Sequence, residues 1–531
     1  MHWYASFDCM QHSELPRCCQ LGKAAVPEAS INVGHQPIGT ISPRVYGQFA
    51  EHLGRCCYNG LWAGHDAPGA TVVDGFRTDV VSALKDLPVP LLRWPGGCYA
   101  DHYHWRDGIG APESRPTTLN TSCGQLESDG NGIGTHEFMR LAELLGAEPY
   151  LAVNVGTGSV EEACSWVEYV NADVDTSLTR QRAANGRVEP WGVGLWGVGN
   201  EAWDCGGRYD AAAYAQEYRH YATMLRHIDP TIELVAVGME DEPLPESMLD
   251  ADWNVHLLDA LGPSVGLVDH LSIHRYWIRG GPETGFGEHD YYALLAEAES
   301  TERLIARTAA RLARLAPAGR RPRVALDEFG VWHPEARTWG PGEVPRRSPV
   351  TFEQANTLRD AIAVAIAFEG FHRQCDVLSM ANLAQVVNVL QSVIVTDGDA
   401  CVKTPTYHAY ALHRPHMGAK ALPVTVSSDA LLPAGGPAVS ATASTRDGRT
   451  AITIVNRDFR RTVEVAIECP GAVGLGLLLT ADEADAVNTA RRPDRVTPRP
   501  LEVRRSGGAV TSAAIPAHSM ATIQYSQQRA G

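Results

Sequence analysis

The sequence predicts an α/β chain, a (β/α)8 TIM barrel with a C-terminal antiparallel β-sandwich, on three observations. Between residues 46 and 414, short apolar runs alternate with longer segments of helical periodicity. Eight such runs can be placed, with glycine or polar residues at their ends. From residue 415 to 531 the helical periodicity gives way to short β-rich runs separated by Gly, Pro and Asp-Gly turns.

In chain order, residues 1–27 have mixed composition, carry Cys9, Cys18 and Cys19, and lack an apolar core long enough for a signal peptide. They are expected to be a non-core extension. Residues 28–45 include an extended stretch that is expected to add a strand to the sandwich before the chain enters the barrel. The eight barrel strands are expected near 45–50, 90–94, 149–155, 195–199, 233–238, 268–274, 323–327 and 376–381. Helices are expected over 75–87, 135–145, 160–170, 211–228, 292–315 and 352–371. In the fifth, Ile305, Ala309, Leu312 and Ala316 form an apolar stripe beside Arg303, Arg307, Arg311 and Arg314, which reads as a core face next to a solvated one. Past the barrel, 451–455 and 462–467 read as sandwich strands and 480–500 as a turn-rich loop.

A chain of 531 residues with 44% hydrophobic content can bury one large barrel and a smaller module. Its formal charge of −17 disfavours nucleic acid and anionic membranes as partners, because both select a basic face. No apolar run reaches membrane length, so the expected location is cytoplasmic. The 12 cysteines are scattered, include the adjacent pairs Cys18-Cys19 and Cys56-Cys57, and form no CxxC spacing. They read as reduced cytosolic thiols rather than a disulfide scaffold or a zinc module.

Barrel chemistry sits at the carboxyl ends of the strands. The first strand leads to Glu51, the second runs Arg93-Trp94-Pro95-Gly96-Gly97, and the fourth ends at Asn200-Glu201. The sixth ends at His274-Arg275-Tyr276, the seventh at Asp327-Glu328, and the eighth leads to Asn382 and Gln385. Two glutamates at two strand ends can face each other across a sugar. His102 and His104 alternate with Asp101 as a metal pair would, but with no clear third ligand they read as a hydrogen-bonding loop.

Six motifs occur in order: Tyr46 to Gly54 (YGQFAEHLG), Arg93 to Cys98 (RWPGGC), Trp105 to Gly110 (WRDGIG), Gly134 to Phe138 (GTHEF), Trp196 to Glu201 (WGVGNE) and Ala384 to Val389 (AQVVNV). Together the chain resembles glycoside hydrolase family 51, the α-L-arabinofuranosidases, over nearly its whole length from residue 30. The resemblance implies a barrel with a β-sandwich and hydrolysis with retention, with Glu201 as general acid/base and Glu328 as nucleophile. Retention needs the two carboxyl groups about 5 to 5.5 Å apart. Glu201 must hold a proton when substrate binds, and Glu328 must be ionised.

The same resemblance assigns Asn200 to the sugar hydroxyl beside the reacting carbon and Glu51 to the furanose hydroxyls, a structural ion pair with Arg93 or Arg55 being the alternative for Glu51. It assigns Tyr276 to a hydrogen bond with the nucleophile, His274 to the same rim, Arg93 to holding a carboxylate, and Gln385 to the sugar. Cys98 stands where the family often has Asn. Trp105, Trp203 and Trp332 are either stacking surfaces for sugars or packing residues. Ala202 and Phe329 replace the usual Asn and Trp and are expected to line the site and bear on substrate preference.

The resulting expectation is a retaining, exo-acting α-L-arabinofuranosidase. It would need no metal or cofactor, act on arabino-oligosaccharides, arabinan or arabinoxylan fragments, and assemble as a homotrimer or hexamer. A β-xylosidase or endoglucanase of the same clan is the alternative enzyme, and an inactive sugar-binding protein the alternative from another class.

Overall fold

A strand covered on both faces must be apolar along its whole length, and Leu195–Val198 is fully buried at all its positions. It is one of eight strands that close into a parallel barrel in the computed structural model, which describes residues 27–64, 71–239, 252–316, 321–341, 347–507 and 509–526. The strands are β1 (Gly47–Phe49), β2 (Leu91–Trp94), β3 (Glu148–Val153), β4 (Leu195–Val198), β5 (Glu233–Ala236), β6 (His270–Trp277), β7 (Arg323–Val331) and β8 (Leu378–Ala384). They pair in chain order, and β8 closes on β1 through Asn382 opposite Gly47. Leu91, Tyr150, Leu195, Val235, Ala325 and Met380 pack as a separate buried cluster contributed by six of the strands, as expected for a side-chain layer inside the barrel.

All eight expected strands are present, with several boundaries moved, β8 among them, which runs on to Ala384. Residues 43–46 form a 3-10 turn instead of the start of β1, because Pro43 opens it and the Ser42 side chain caps it. β6 and β7 run past their expected ends because they stay paired from His270 opposite Arg323 to Trp277 opposite Val331, with one register shift. That extension carries Tyr276 and Glu328 as strand residues rather than loop residues.

The six expected helices form, the last starting at Leu358 rather than 352, where Thr357 accepts from the Asp360 amide. Three short helices were not expected: Ser177–Ala184, Trp253–Leu261 and Pro405–His413. At eight or nine residues each, they are too short to display a clear periodicity.

The second layered unit has two sheets. Ala29–Val33 lies between Val424–Ser428 and Val463–Glu468 in a five-stranded sheet, and Gly39–Thr40 pairs with Lys420–Leu422 at the edge of a seven-stranded one. Ile31, Ile452, Ile454, Val465, Ile467 and Ile523 fill its core. The extension expected at residues 1–27 lies outside the described residues except for Pro27. Among the described residues, no helix is long and apolar enough to cross a membrane.

The helix Leu358–Arg373 is the seam between the units, buried over nearly its whole length. His372 lies 2.6 Å from the Tyr46 hydroxyl on the barrel side and 2.8 Å from the Thr442 hydroxyl on the sandwich side. Beside it, His416 contacts the hydroxyls of Ser444 and Thr453, and His413 contacts the Ala409 carbonyl. All three histidines are buried.

Candidate active site

The carboxyl rim brings Glu51, Arg93, Asn200, Glu201, His274, Tyr276, Glu328 and Gln385 into one cluster. Arg93, at the end of β2, is buried and donates to Glu328 Oε1 at 2.8 Å, to the Asp327 carbonyl at 3.0 Å and to Asn200 Oδ1 at 2.7 Å. One guanidinium thereby ties the ends of β2, β4 and β7 together. Its pKa is raised: burial opposes this, but the carboxylates of Asp327 and Glu328 outweigh it. Arg93 pairs with Glu328 and Arg55 with Glu353, rather than either with Glu51.

Glu328, from within β7, is fixed by three neighbours. Besides Arg93 on Oε1, Tyr276 donates its hydroxyl to Oε2 at 2.7 Å, and His274 Nδ1 lies 3.5 Å from the same oxygen. Tyr276 titrates well above the usual phenol range, through burial and the adjoining Glu328 charge, so it stays a donor.

Glu201 follows β4 with φ +34°, a left-handed conformation that costs a non-glycine residue about 1–3 kcal/mol. The turn is held by the amides of Asp204 and Gly206, which donate to the Glu201 carbonyl at 2.7 and 3.1 Å. Its carboxyl Oε1 lies 2.8 Å from His274 Nδ1. Oxygens of Glu201 and Glu328 and a nitrogen of His274 all lie within 4.8 Å of one another. Burial pushes the Glu201 carboxyl up, against the lowering effect of His274. His274 itself is raised well above the usual imidazole range: burial opposes this, but the Glu328 charge and the bonds to Asp327 and Glu201 win.

Glu51 is buried, and burial together with the Glu328 charge pushes its carboxyl up to about 8. It accepts from the Gly97 amide at 3.1 Å and from the Gln385 side-chain amide. Gly97 is required there: a Cβ at that position would lie 2.8 Å from Glu328 Oε1 and 3.0 Å from Glu51 Oε1. The other end of the Gln385 amide, Oε1, is a buried acceptor without a hydrogen-bond partner. It is available to a ligand hydroxyl.

Four expectations change. Trp105 does not reach the cluster: it is 1% exposed, its indole N–H goes to the Glu162 carbonyl, and its ring lies parallel to that of Trp166. Cys98 is joined to Cys205 in a disulfide, contrary to the expectation of reduced thiols, so its sulfur has no proton to donate. The two cysteines are 107 positions apart, and only the meeting of two rim loops brings them together. Ala202 and Phe329 are both fully buried and do not line the cavity; Phe329 packs on Trp277 and Phe371. The His102–His104 loop hydrogen-bonds, with His104 on Glu162 at 3.0 Å.

Two contributions were not read from the sequence. Asp101 accepts the amides of Val155, Gly156 and Asn200, strapping the β3 and β4 loops under the site. Asp327 accepts from Tyr150 and Ser272 inside the barrel, and its carboxyl sits well below the usual range, where Arg93 and His274 outweigh burial. Asp327 was visible as Glu328's neighbour, but Asp101 carried no motif signal.

Beside the cluster opens a cavity of about 380 Å³, whose lining includes Glu201, His274 and Tyr276 together with Trp203, Trp332 and Trp339. Paired carboxyls next to such a cavity can protonate one oxygen and attack one carbon of the same bound molecule.

Comparisons with known proteins agree across the chain. Residues 83–277 match the model of the α-L-arabinofuranosidase 1 domain, and residues 327–519 that of the α-L-arabinofuranosidase C-terminal domain. An intracellular exo-α-L-arabinofuranosidase of Bacteroides ovatus is 37% identical, over 94% of this chain and 96% of its own. An intracellular exo-α-(1→5)-L-arabinofuranosidase of Bifidobacterium longum is 30% identical, over 95% of this chain and 93% of its own. The crystal structure of the GH51 arabinofuranosidase from Xanthomonas axonopodis pv. citri superposes with a TM-score of 0.86 at 35% identity, covering 94% of this chain and all of that one.

Proposed function

The chain belongs to glycoside hydrolase family 51, and on that premise we propose that it is an exo-acting α-L-arabinofuranosidase working with retention. It releases terminal non-reducing α-L-arabinofuranosyl groups from arabino-oligosaccharides, arabinan or arabinoxylan fragments. The observation that carries this reading is the Glu201–Glu328 pair, with oxygens within 4.8 Å of each other in two different environments. Retaining enzymes hold their carboxyls about 5–5.5 Å apart and inverting ones about 6.5–9.5 Å, and this close approach of the two side chains favours retention.

In the first step Glu328 attacks the anomeric carbon, while Glu201 gives its proton to the leaving oxygen and a glycosyl-enzyme ester forms. Glu201 is suited to this because burial raises its pKa. Glu328 is suited because Arg93 and Tyr276 present donors to its two oxygens. Ester formation removes the Glu328 charge, which had helped hold the Glu201 proton, so Glu201 can then take a proton from the incoming water. Glu51 and the free acceptor of Gln385 suit the furanose hydroxyls, and Asn200, held by Arg93, suits the hydroxyl beside the reacting carbon.

Azide tests the roles. Glu328→Ala is expected to be rescued to a glycosyl azide of inverted configuration, and Glu201→Ala to one of retained configuration. The same azide product from both variants would refute the assignment. Aryl α-L-arabinofuranoside is expected to be turned over faster than aryl β-D-xyloside or a soluble glucan; either rival being faster would refute the sugar assignment. Family resemblance and the names of the two intracellular relatives further support a cytoplasmic homotrimer or hexamer. Analytical ultracentrifugation reporting a monomer would reject that assembly.

A further inference from the structure

The disulfide between Cys98 and Cys205 ties down the turn that presents Glu201. Cys98 opens the 3-10 turn Cys98–Asp101 after β2, and Cys205 lies in the tight turn after β4. The two turns are joined at both ends. Asp101 Oδ2 accepts the Asn200 amide at 2.9 Å just before Glu201, and the two sulfurs are bonded just after it.

The Glu201 carboxyl is bracketed in the same way. His274 Nδ1 lies 2.8 Å from Oε1, and Cys205 Sγ lies 3.7 Å from Oε2. A disulfide sulfur has no proton, so it limits the swing of the carboxyl without competing for the acid proton. The backbone beneath also needs restraint, because φ +34° at a glutamate persists only where the surroundings over-determine it. The amides of Asp204 and Gly206 restrain it locally, and the disulfide restrains it from the loop of another strand. Both sulfurs line the cavity beside Glu201, so a small thiol from solution can reach them. Disulfides of cytoplasmic proteins are usually transient or redox-sensing, and the location proposed above puts this one in that class.

We propose that the Cys98–Cys205 disulfide is a reducible brace of the proton donor. Oxidised, it positions Glu201 at the leaving oxygen; reduced by a small dithiol, it releases the turn and removes cleavage of bonds whose leaving group needs a proton. Cys98 and Cys205 are positioning residues, acting through Glu201. The exchange balances: a thiolate of the reductant attacks one sulfur, and the other leaves as a thiolate and is protonated. The reductant's second thiol then closes it into its own disulfide, so two electrons and two protons pass to the protein. The inference rests on the arabinofuranosidase reading above, with Glu201 as the acid.

Two substrates of different leaving-group demand test it. Methyl α-L-arabinofuranoside loses an alcohol that must be protonated as it departs, whereas the phenolate of the para-nitrophenyl glycoside departs unaided. The quantity compared is kcat/KM, which stops at the glycosyl-enzyme and isolates the step in which Glu201 is the acid. Excess dithiothreitol under native conditions is expected to add two titratable thiols to the chain. It is expected to lower kcat/KM for the methyl glycoside by at least about tenfold and to leave the nitrophenyl glycoside within about twofold. Cys205→Ala is expected to show the same selective loss without dithiothreitol and no further response to it. No gain of thiols overturns the inference, as do equal losses on both substrates, which a merely structural disulfide would give, or no loss on either. The dithiothreitol measurement on the wild-type chain stands alone if the variant does not fold. Untreated enzyme that hydrolyses neither glycoside refutes the arabinofuranosidase reading itself, and one that hydrolyses only the nitrophenyl compound denies Glu201 its role as acid and the brace with it.

Discussion

The barrel rim and the seam between barrel and sandwich each gather several buried ionisable side chains, and they treat charge in opposite ways. At the rim, Arg93, Asp327 and Glu328 stand in direct contact, His274 is raised, and a cavity opens beside Glu201. At the seam, burial lowers His372, His413 and His416 far enough to keep the rings neutral, and burial raises Glu369 to about 7. Four of the six ring nitrogens there meet hydroxyl groups. Density of titratable groups therefore does not mark a reactive site. Opposed charges and adjoining space do.

The sharpest way to break that contrast is to remove one charge at the rim. Glu328→Gln is expected to lower kcat by more than about 10⁴-fold while circular dichroism stays unchanged. Residual activity near wild type would put the nucleophile elsewhere.

At the seam the expected effect is on folding. His413 titrates near 4 when folded and near its ordinary value when unfolded. The unfolded chain therefore takes up the proton first as pH falls: the stabilisation is complete above about 6.5 and is lost progressively towards 4. From His413 alone this is on the order of 3 kcal/mol, and His372 and His416 act in the same direction. Urea denaturation at pH 7 and pH 4.5 measures it, and His413→Leu is expected to flatten the difference. An equal slope in the variant would remove His413 from the account.

Back at the rim, Tyr276→Phe deletes a hydrogen bond to a carboxylate and is expected to cost about 10- to 100-fold in kcat/KM. A smaller effect is a shift of the pH profile. Glu201 must be protonated to act, so activity falls as pH rises through its pKa, and His274 lowers that pKa. His274→Gln is then expected to move the alkaline limb of kcat/KM to higher pH; a downward shift would reverse the assigned influence. Smallest of all, Trp105→Phe is expected to leave KM within about twofold, because Trp105 packs on Trp166 away from the cavity.

The eight strands and both glutamates could be read from the sequence because a buried parallel strand is an uninterrupted apolar run that stops where its side chains become polar. Leu195 to Glu201 displays both halves of that signal. Which aromatics face a ligand could not be read in this way. Trp105 and Trp332 carry the same side chain, and one lies in the core and the other on the cavity wall, according to loop paths that no local period encodes. Nor could the Cys98–Cys205 disulfide or the strap made by Asp101, since each depends on loops from different strands meeting in space. Ala202 and Phe329 mislead in the same way: they stand beside Glu201 and Glu328 in the sequence, but their side chains lie in the core.

The strand Ala29–Val33 has a consequence for the order in which the protein can be made. It lies between Val424–Ser428 and Val463–Glu468, so its two partners emerge from the ribosome only after the whole barrel has been synthesised. Throughout that interval its apolar face, Ile31 included, has nowhere of its own to go. The barrel in turn has the helix Leu358–Arg373 without its sandwich cover until the last strands arrive. The sandwich is completed by a strand from the far side of the barrel in sequence, while the barrel strands come from one continuous stretch, so the dependence is unequal. A sandwich cut at residue 415 lacks an inner strand of one sheet, and a barrel cut there keeps all its strands and loses the cover on that helix.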